Sequence, residues 1–176
     1  MMNRKCLIVD DEPIMLRVIN DCLAEFGFTC ASVTSAEAAL EILAAEPFDL
    51  MITDIQMGGM TGIELTREAK RLYEEMPVVV MTGFTDEYSY DQVVEAGAAD
   101  FLKKPFSMKE LGTRVTRVIR DSDLMAIIKK KGKDLEEIST LMIAGLQDEA
   151  LEKVERLEEE VRRLKESLLK QGGQEG

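Results

Sequence analysis

Three short apolar runs, rich in β-branched residues, each lead into polar side chains. Cys6-Leu7-Ile8-Val9 is followed by Asp10 and Asp11, Leu50-Met51-Ile52-Thr53 by Asp54, and Val78-Val79-Val80-Met81 by Thr82. A fourth segment presents Lys104 immediately before Pro105. Such continuous runs read as strands buried on both faces, the habit of a parallel sheet, which gathers its functional groups at the carboxyl ends of its strands. One pocket is therefore expected to hold three carboxylates, a hydroxyl and an ammonium. Carboxylates suit a hard divalent cation, and a hydroxyl with an ammonium suits phosphoryl oxygens.

Helical segments alternate with these strands. The spacing predicts strands over 5–9, 28–33, 50–53, 78–81 and 99–103, and helices over 13–26, 34–45, 61–73 and 87–95, with a fifth opening after Ser107. Pro13 suits a first helical turn, and Thr34 with Glu37, like Ser107 with Glu110, has capping-box spacing. Strict alternation implies right-handed crossovers and an α/β, doubly wound sheet.

Charge and composition narrow the function classes. Residues 1–121 hold 12 Lys or Arg against 21 Asp or Glu, a balance of −9, and residues 122–176 hold 10 against 13, a balance of −3. An acidic domain without a basic face argues against nucleic acid as a partner. Neither a run of 18 apolar residues nor a signal pattern is present, so no membrane is involved and a cytoplasmic location is expected. Cys6, Cys22 and Cys30 lie in apolar segments and read as reduced, buried thiols. The chain contains no histidine, so any phosphohistidine donor must be another protein.

The motifs Val9-Asp10-Asp11-Glu12-Pro13, Thr53-Asp54-Ile55-Gln56-Met57 with Gly62, Met81-Thr82-Gly83, and Phe101-Leu102-Lys103-Lys104-Pro105-Phe106 occur in order along the chain. Together they resemble the receiver domain of two-component response regulators, over residues 3–121. The resemblance implies a flavodoxin-like five-stranded sheet of order 2-1-3-4-5. It implies Asp54 as phosphoacceptor, Mg2+ held by Asp10, Asp11, Asp54 and the backbone carbonyl of Gln56, and a cis peptide at Pro105. It further implies Thr82 and Lys104 as phosphoryl-binding groups, with Phe101 turning inward when Thr82 moves. Partners would be a histidine kinase or a phosphotransfer protein. Gly58 stands where the family usually carries proline, so Met57-Gly58-Gly59 is expected to be more mobile. Gln56 and Phe84 occupy positions that in the family tune phosphoryl lifetime.

Beyond residue 121, periodicity carries the reading. Val154, Leu157, Val161, Leu164 and Leu168 are spaced 3, 4, 3, 4, a heptad seam with Val at a and Leu at d. In a parallel partner helix Lys153 would meet Glu158 and Glu160 would meet Lys165, which points to a coiled-coil homodimer. A helix folded back on its own receiver is the alternative. Residues 122–145 read as a helical connector, either one long rod continuing the fifth helix or several short helices, in which Gly132 and Gly145 could each end a helix and Asp134 with Glu137 could start one; 146–170 read as the coiled-coil helix, and 171–176 as disordered.

The expected function is a phosphorelay signalling protein, not an enzyme in the ordinary sense, with output through protein contact or dimerisation and no DNA-binding output domain. An aspartyl-nucleophile phosphohydrolase is the enzyme alternative, but that chemistry needs a second Asp two residues after the first, where Gln56 stands. A structural adaptor without phosphorylation is the third reading.

Overall fold

The computed structural model describes residues 4–83 and 90–172, with side chains through 167. Five parallel strands, β1 (Arg4–Val9), β2 (Phe28–Val33), β3 (Leu50–Asp54), β4 (Val78–Thr82) and β5 (Asp100–Lys103), form one sheet of order β2-β1-β3-β4-β5. Helices α1 (Pro13–Glu25), α2 (Ala36–Ala45), α3 (Gly62–Leu72), α4 (Tyr90–Glu95) and α5 (Met108–Ile143) alternate with them, and α6 (Gln147–Gly172) follows. The fold is the doubly wound sheet that the strand pattern implied, in the flavodoxin-like order that the resemblance implied, with C-terminal helices.

Alternation within the central strands builds the core. Leu7, Val9, Met51, Val78 and Val80 face α2, α3 and α4, whereas Cys6, Ile8, Ile52, Val79 and Met81 face α1 and α5. Every residue of β3 and β4 is buried, which is why these runs show no polar alternation. Burying each Leu or Ile side chain contributes about 1.5–3 kcal/mol, so the two-sided core carries the sheet.

Register then positions the polar ends. Val9 pairs with Thr53, Asp54 with Met81, and Thr82 with Lys103, so the carboxyl ends of β1, β3, β4 and β5 lie side by side.

Several local expectations shift. The cap of α2 is Ser35, whose hydroxyl accepts from the Ala38 N–H at 3.2 Å, not Thr34, because Ser35 holds the extended backbone a cap requires. Glu37 is freed from capping and accepts instead from the Met60 N–H at 3.2 Å. The Thr61 and Glu64 side chains complete a reciprocal capping box on α3. Residues 87–89, the expected start of α4, lie outside the described residues.

The chain divides into two units, Met1–Asp123 and Leu124–Gly176, with the boundary inside α5. Within the second unit, Gly132 does not end a helix; α5 runs unbroken through it to Ile143. Gly145 ends it, with φ of 77°. The Leu146 N–H reaches the Leu141 carbonyl at 3.0 Å and the Gly145 N–H that of Met142 at 3.2 Å, a Schellman stop needing a residue at ease in the left-handed region. Helix α6 then returns along α5. Lys130 and Lys131 pair with Glu160, and Lys153 pairs with Glu137.

Two of the charges expected to meet across a parallel dimer, Lys153 and Glu160, thus find partners inside one chain, where α6 lies along the extension of α5. Val154, Leu157 and Leu164 are half-buried and Val161 is 37% exposed. The helix continues over Gln171 and Gly172, which were expected to be disordered, because helical hydrogen bonding persists past Lys170; residues 173–176, and the Leu168 side chain, lie outside the described set.

Candidate functional site

Asp10 leaves β1 fully buried, and its N–H donates to the Val33 carbonyl at 3.2 Å. Its carboxylate faces two donors. Oδ1 accepts from the Glu12 N–H at 2.9 Å, and Oδ2 accepts from Lys104 Nζ at 3.0 Å. Asp54, at the end of β3, is 6% exposed. Its Oδ1 accepts from the Ile55 N–H at 2.9 Å, and its Oδ2 lies 3.0 Å from the same Lys104 ammonium.

Lys104 therefore bridges two carboxylates from strands adjacent in the sheet. Its side chain is 18% exposed, its N–H donates to the Thr82 carbonyl at 2.8 Å, and the Lys104–Pro105 peptide is cis. Thr82, 2% exposed, ends β4 beside Lys103.

Gly62 completes the setting. A Cβ there would stand 1.9 Å from the Asp54 carbonyl oxygen, so only hydrogen fits where α3 opens against the end of β3. The Gly62 N–H donates to the Ile55 carbonyl at 3.0 Å, tying the loop after Asp54 into a closed turn. Gly59 adopts φ of 88°, natural for glycine alone, beside the Glu37 carboxylate that holds Met60.

Electrostatics separate the groups. Burial pushes the Asp54 carboxyl up; Lys104 opposes this through its hydrogen bond and charge, the nearby Asp10 charge reinforces the rise, and the net direction is upward. Burial works to lower the Lys104 ammonium, but the hydrogen bonds and charges of Asp10 and Asp54 outweigh it and hold that group up. Lys104 thus stays cationic while Asp54 carries a carboxylate less stabilised than in water.

The donor set suits a hard cation. Carboxylate oxygens of Asp10, Asp11 and Asp54 lie within 4.8 Å of one another. Two bonds of about 2.1 Å span roughly 4.2 Å, so small side-chain adjustments bring such oxygens to one Mg2+. Three carboxylates against one ammonium leave two formal negative charges for a divalent ion to neutralise. Asp11 is exposed and so open to a hydrated ion.

The remaining expected residues fall nearby or elsewhere. Gln56 follows Asp54 with an exposed side chain. Phe101, half-buried, packs edge-on to Tyr90 at 5.1 Å between centroids, with the Arg114 guanidinium 5.9 Å from its ring. Phe84 lies outside the described residues. Sequence reading missed Asp100, which anchors Arg114 at 3.1 Å and Arg117 at 2.7 Å beside Phe101. No local spacing advertises a pairing between a strand and a helix 14 and 17 residues on. It also missed the Thr61–Glu64 box, although Thr-x-x-Glu before an apolar helix was readable.

A family model described as response regulator receiver domain matches residues 6–116. The chain is 40% identical over 119 residues to the response regulator protein FleR of Pseudomonas aeruginosa, covering 66% of this chain and 24% of that protein. It is 30% identical over 125 residues to the alkaline phosphatase synthesis transcriptional regulatory protein PhoP of Bacillus subtilis, covering 71% and 52%. The chain thus spans between a quarter and about half the length of these curated relatives. A crystal structure of a response regulator receiver domain protein from Clostridium thermocellum superposes with a TM-score of 0.64 at 27% identity, over 69% of this chain and 98% of that one.

Proposed function

Because this chain belongs to the response regulator receiver domain family, a family of phosphoacceptor signalling domains, we propose that Asp54 takes a phosphoryl group from a partner's phosphohistidine and that the signal leaves through protein contacts. The observation that supports this best is the Lys104 ammonium held 3.0 Å from carboxylate oxygens of both Asp10 and Asp54 at the mouth of the sheet.

In this reading an Asp54 oxygen attacks phosphorus, a phosphorus–oxygen bond forms, and the phosphorus–nitrogen bond to the partner's imidazole breaks, the electron pair leaving on nitrogen. The approach is disfavoured by like charge, and Lys104 offsets that by shifting its hydrogen bond onto a phosphoryl oxygen. The Thr82 hydroxyl supplies a second donor. Asp10, Asp11, Asp54 and the Gln56 carbonyl would hold Mg2+, which when bound neutralises charge on the phosphoryl oxygens.

The donor protein has a place to rest. An apolar groove lined by Ile14, Met15, Val18, Pro105, Phe106 and Met108 runs up to Lys104, and Ile14 is 76% exposed. Since the chain contains no histidine, a histidine-bearing partner is the occupant the chemistry requires. For output, Thr82 drawn toward the phosphoryl group opens space for Phe101, and the Tyr90–Phe101–Arg114 stack on α4, β5 and α5 rearranges. Self-association through the C-terminal helices is part of the same reading.

Incubation with acetyl phosphate and Mg2+ is expected to add one phosphoryl mass to Asp54, and Asp54→Asn is expected to abolish it. Retention of the label in Asp54→Asn would remove the assignment. Turnover of a small phosphate ester without labelling would instead favour the hydrolase alternative, for which Gln56 supplies no second carboxylate.

A further inference from the structure

Helix α5 carries two heptad seams within the second unit. Ile127, Lys131, Asp134, Ile138 and Leu141 are half-buried against α6: Ile127 shares a groove with Leu164, and Lys131 pairs with Glu160; Leu135, on the neighbouring seam, borders a second groove with Leu157 and Val161 while staying 57% exposed. The second seam, Met125, Ile128, Gly132, Leu135, Ser139 and Met142, is spaced 3, 4, 3, 4, 3 and exposed along its whole length. Its four large apolar side chains keep between 55% and 67% of their surface in water. That much solvated apolar surface on one stripe marks a contact face.

The stripe is its own complement when reversed. Under a two-fold axis between Lys133 and Asp134, Met125 stands opposite Met142 of a second copy, Ile128 opposite Ser139, and Leu135 opposite Gly132. Large residues meet small ones in the four inner layers, and Met meets Met at the two ends. Nothing lies within 4 Å of a Cβ built on Gly132, so the space for an incoming Leu135 is present.

Charge obeys the same symmetry. Lys129 and Glu136, both exposed, occupy the flanking e positions, and antiparallel pairing brings each copy's Lys129 to the other's Glu136. A parallel in-register pair would instead stack Gly132 on Gly132 and Leu135 on Leu135, leaving voids between crowded layers.

We propose that two copies of this chain dock through the exposed seam of α5 that flanks α6, antiparallel, with Leu135 of each seated over Gly132 of the other. This deepens the self-association proposed above and rests on it, but is independent of phosphoryl transfer at Asp54.

Sedimentation equilibrium of the full chain tests it. Wild type is expected to dimerise, and Leu135→Glu to remain monomeric at the same concentrations with its helical circular dichroism intact. Lys129→Glu and Glu136→Lys each turn two attractive pairs into repulsive ones and are expected to weaken the dimer about tenfold, whereas an equimolar mixture of the two recovers wild-type affinity as a heterodimer. Chains carrying Ile128→Cys are expected to cross-link to chains carrying Ser139→Cys and not to themselves. A dimer indifferent to Leu135→Glu and to the charge swap, or one cross-linking 128 to 128, overturns this surface while leaving self-association standing. A wild-type monomer at all concentrations overturns both.

Discussion

The two units of this chain use polar and apolar residues in opposite ways. Among the described residues of 4–123 the apolar side chains of the central strands are buried and the decisive ions are buried with them: Asp10 is fully enclosed and Asp54 nearly so, both held by one ammonium. In residues 124–172 the ion pairs lie largely in water, and Met125, Met142, Ile143 and Leu151 are more than half exposed. The contrast teaches that the first unit is specified by its own core. The second is a helical hairpin whose seam supplies modest burial and whose α5 keeps an apolar stripe exposed. Among the described residues no helix is long and apolar enough to cross a membrane.

The sharpest way to break this contrast is to truncate one apolar side chain in each unit. Ile52→Ala, in a fully buried strand, is expected to cost about 4 kcal/mol by denaturant unfolding, whereas Leu151→Ala, 58% exposed, is expected to cost under about 0.5 kcal/mol. Similar costs at the two positions would mean that the hairpin has a core of its own.

Next in size is the cation. Mg2+ at a hundred times its dissociation constant is expected to add about 2.7 kcal/mol to the stability of the first unit, and EDTA to remove it. Asp11→Asn is expected to lose most of that gain, and Asp148→Asn, on α6, none; a thermal scan with and without Mg2+ distinguishes them.

Smaller again is the effect of charge at Asp54. Its folded-state carboxyl is raised above the unfolded value, mainly by burial, so the folded form binds a proton more readily. The penalty is therefore fully present above the raised value and disappears as pH falls through the unfolded one, 3.8. Asp54→Asn is expected to raise the melting temperature at neutral pH without Mg2+, with the difference from wild type shrinking as the pH is lowered through that window. A lower melting temperature for Asp54→Asn at neutral pH would contradict the upward direction.

The smallest effect belongs to the hairpin's ion pairs. Glu160→Ala removes a partner of Lys130 and Lys131 at the surface and is expected to leave the melting temperature unchanged within scatter, in low and high salt alike.

Different parts of the molecule were legible in the sequence to different degrees. The strands β1, β3 and β4 were readable because a strand buried on both faces has to be apolar throughout, and their polar ends named Asp10, Asp11, Asp54 and Thr82 as neighbours. The pairing of Arg114 and Arg117 with Asp100 was not readable, since no local rule joins a strand residue to a helix face. Gly132 left the sequence undecided between one rod and several helices, because an exposed glycine costs a helix only about 1 kcal/mol, which neighbouring turns absorb; the structure has one helix through it. The heptad of α6 was legible as a seam expected to meet a second copy, and in this chain Lys153 and Glu160 of α6 pair with Glu137 and Lys131 of α5. Spacing of 3 and 4 states that a helix pairs, and is silent on whether the partner belongs to the same chain.

What the amino-acid sequence determined by itself was periodicity and chemistry: which runs are strands, which residues end them, and which helical faces are apolar. Those properties depend on neighbours a few residues away, within reach of backbone sterics and local burial. Tertiary structure alone decided that Lys104 stands between Asp10 and Asp54, that Gly62 lets α3 close onto the Asp54 carbonyl, and that α6 turns back at Gly145 to spend its charges on α5. Each of these joins groups distant in the chain, where register, closure and packing select one arrangement among many that the local pattern permits equally.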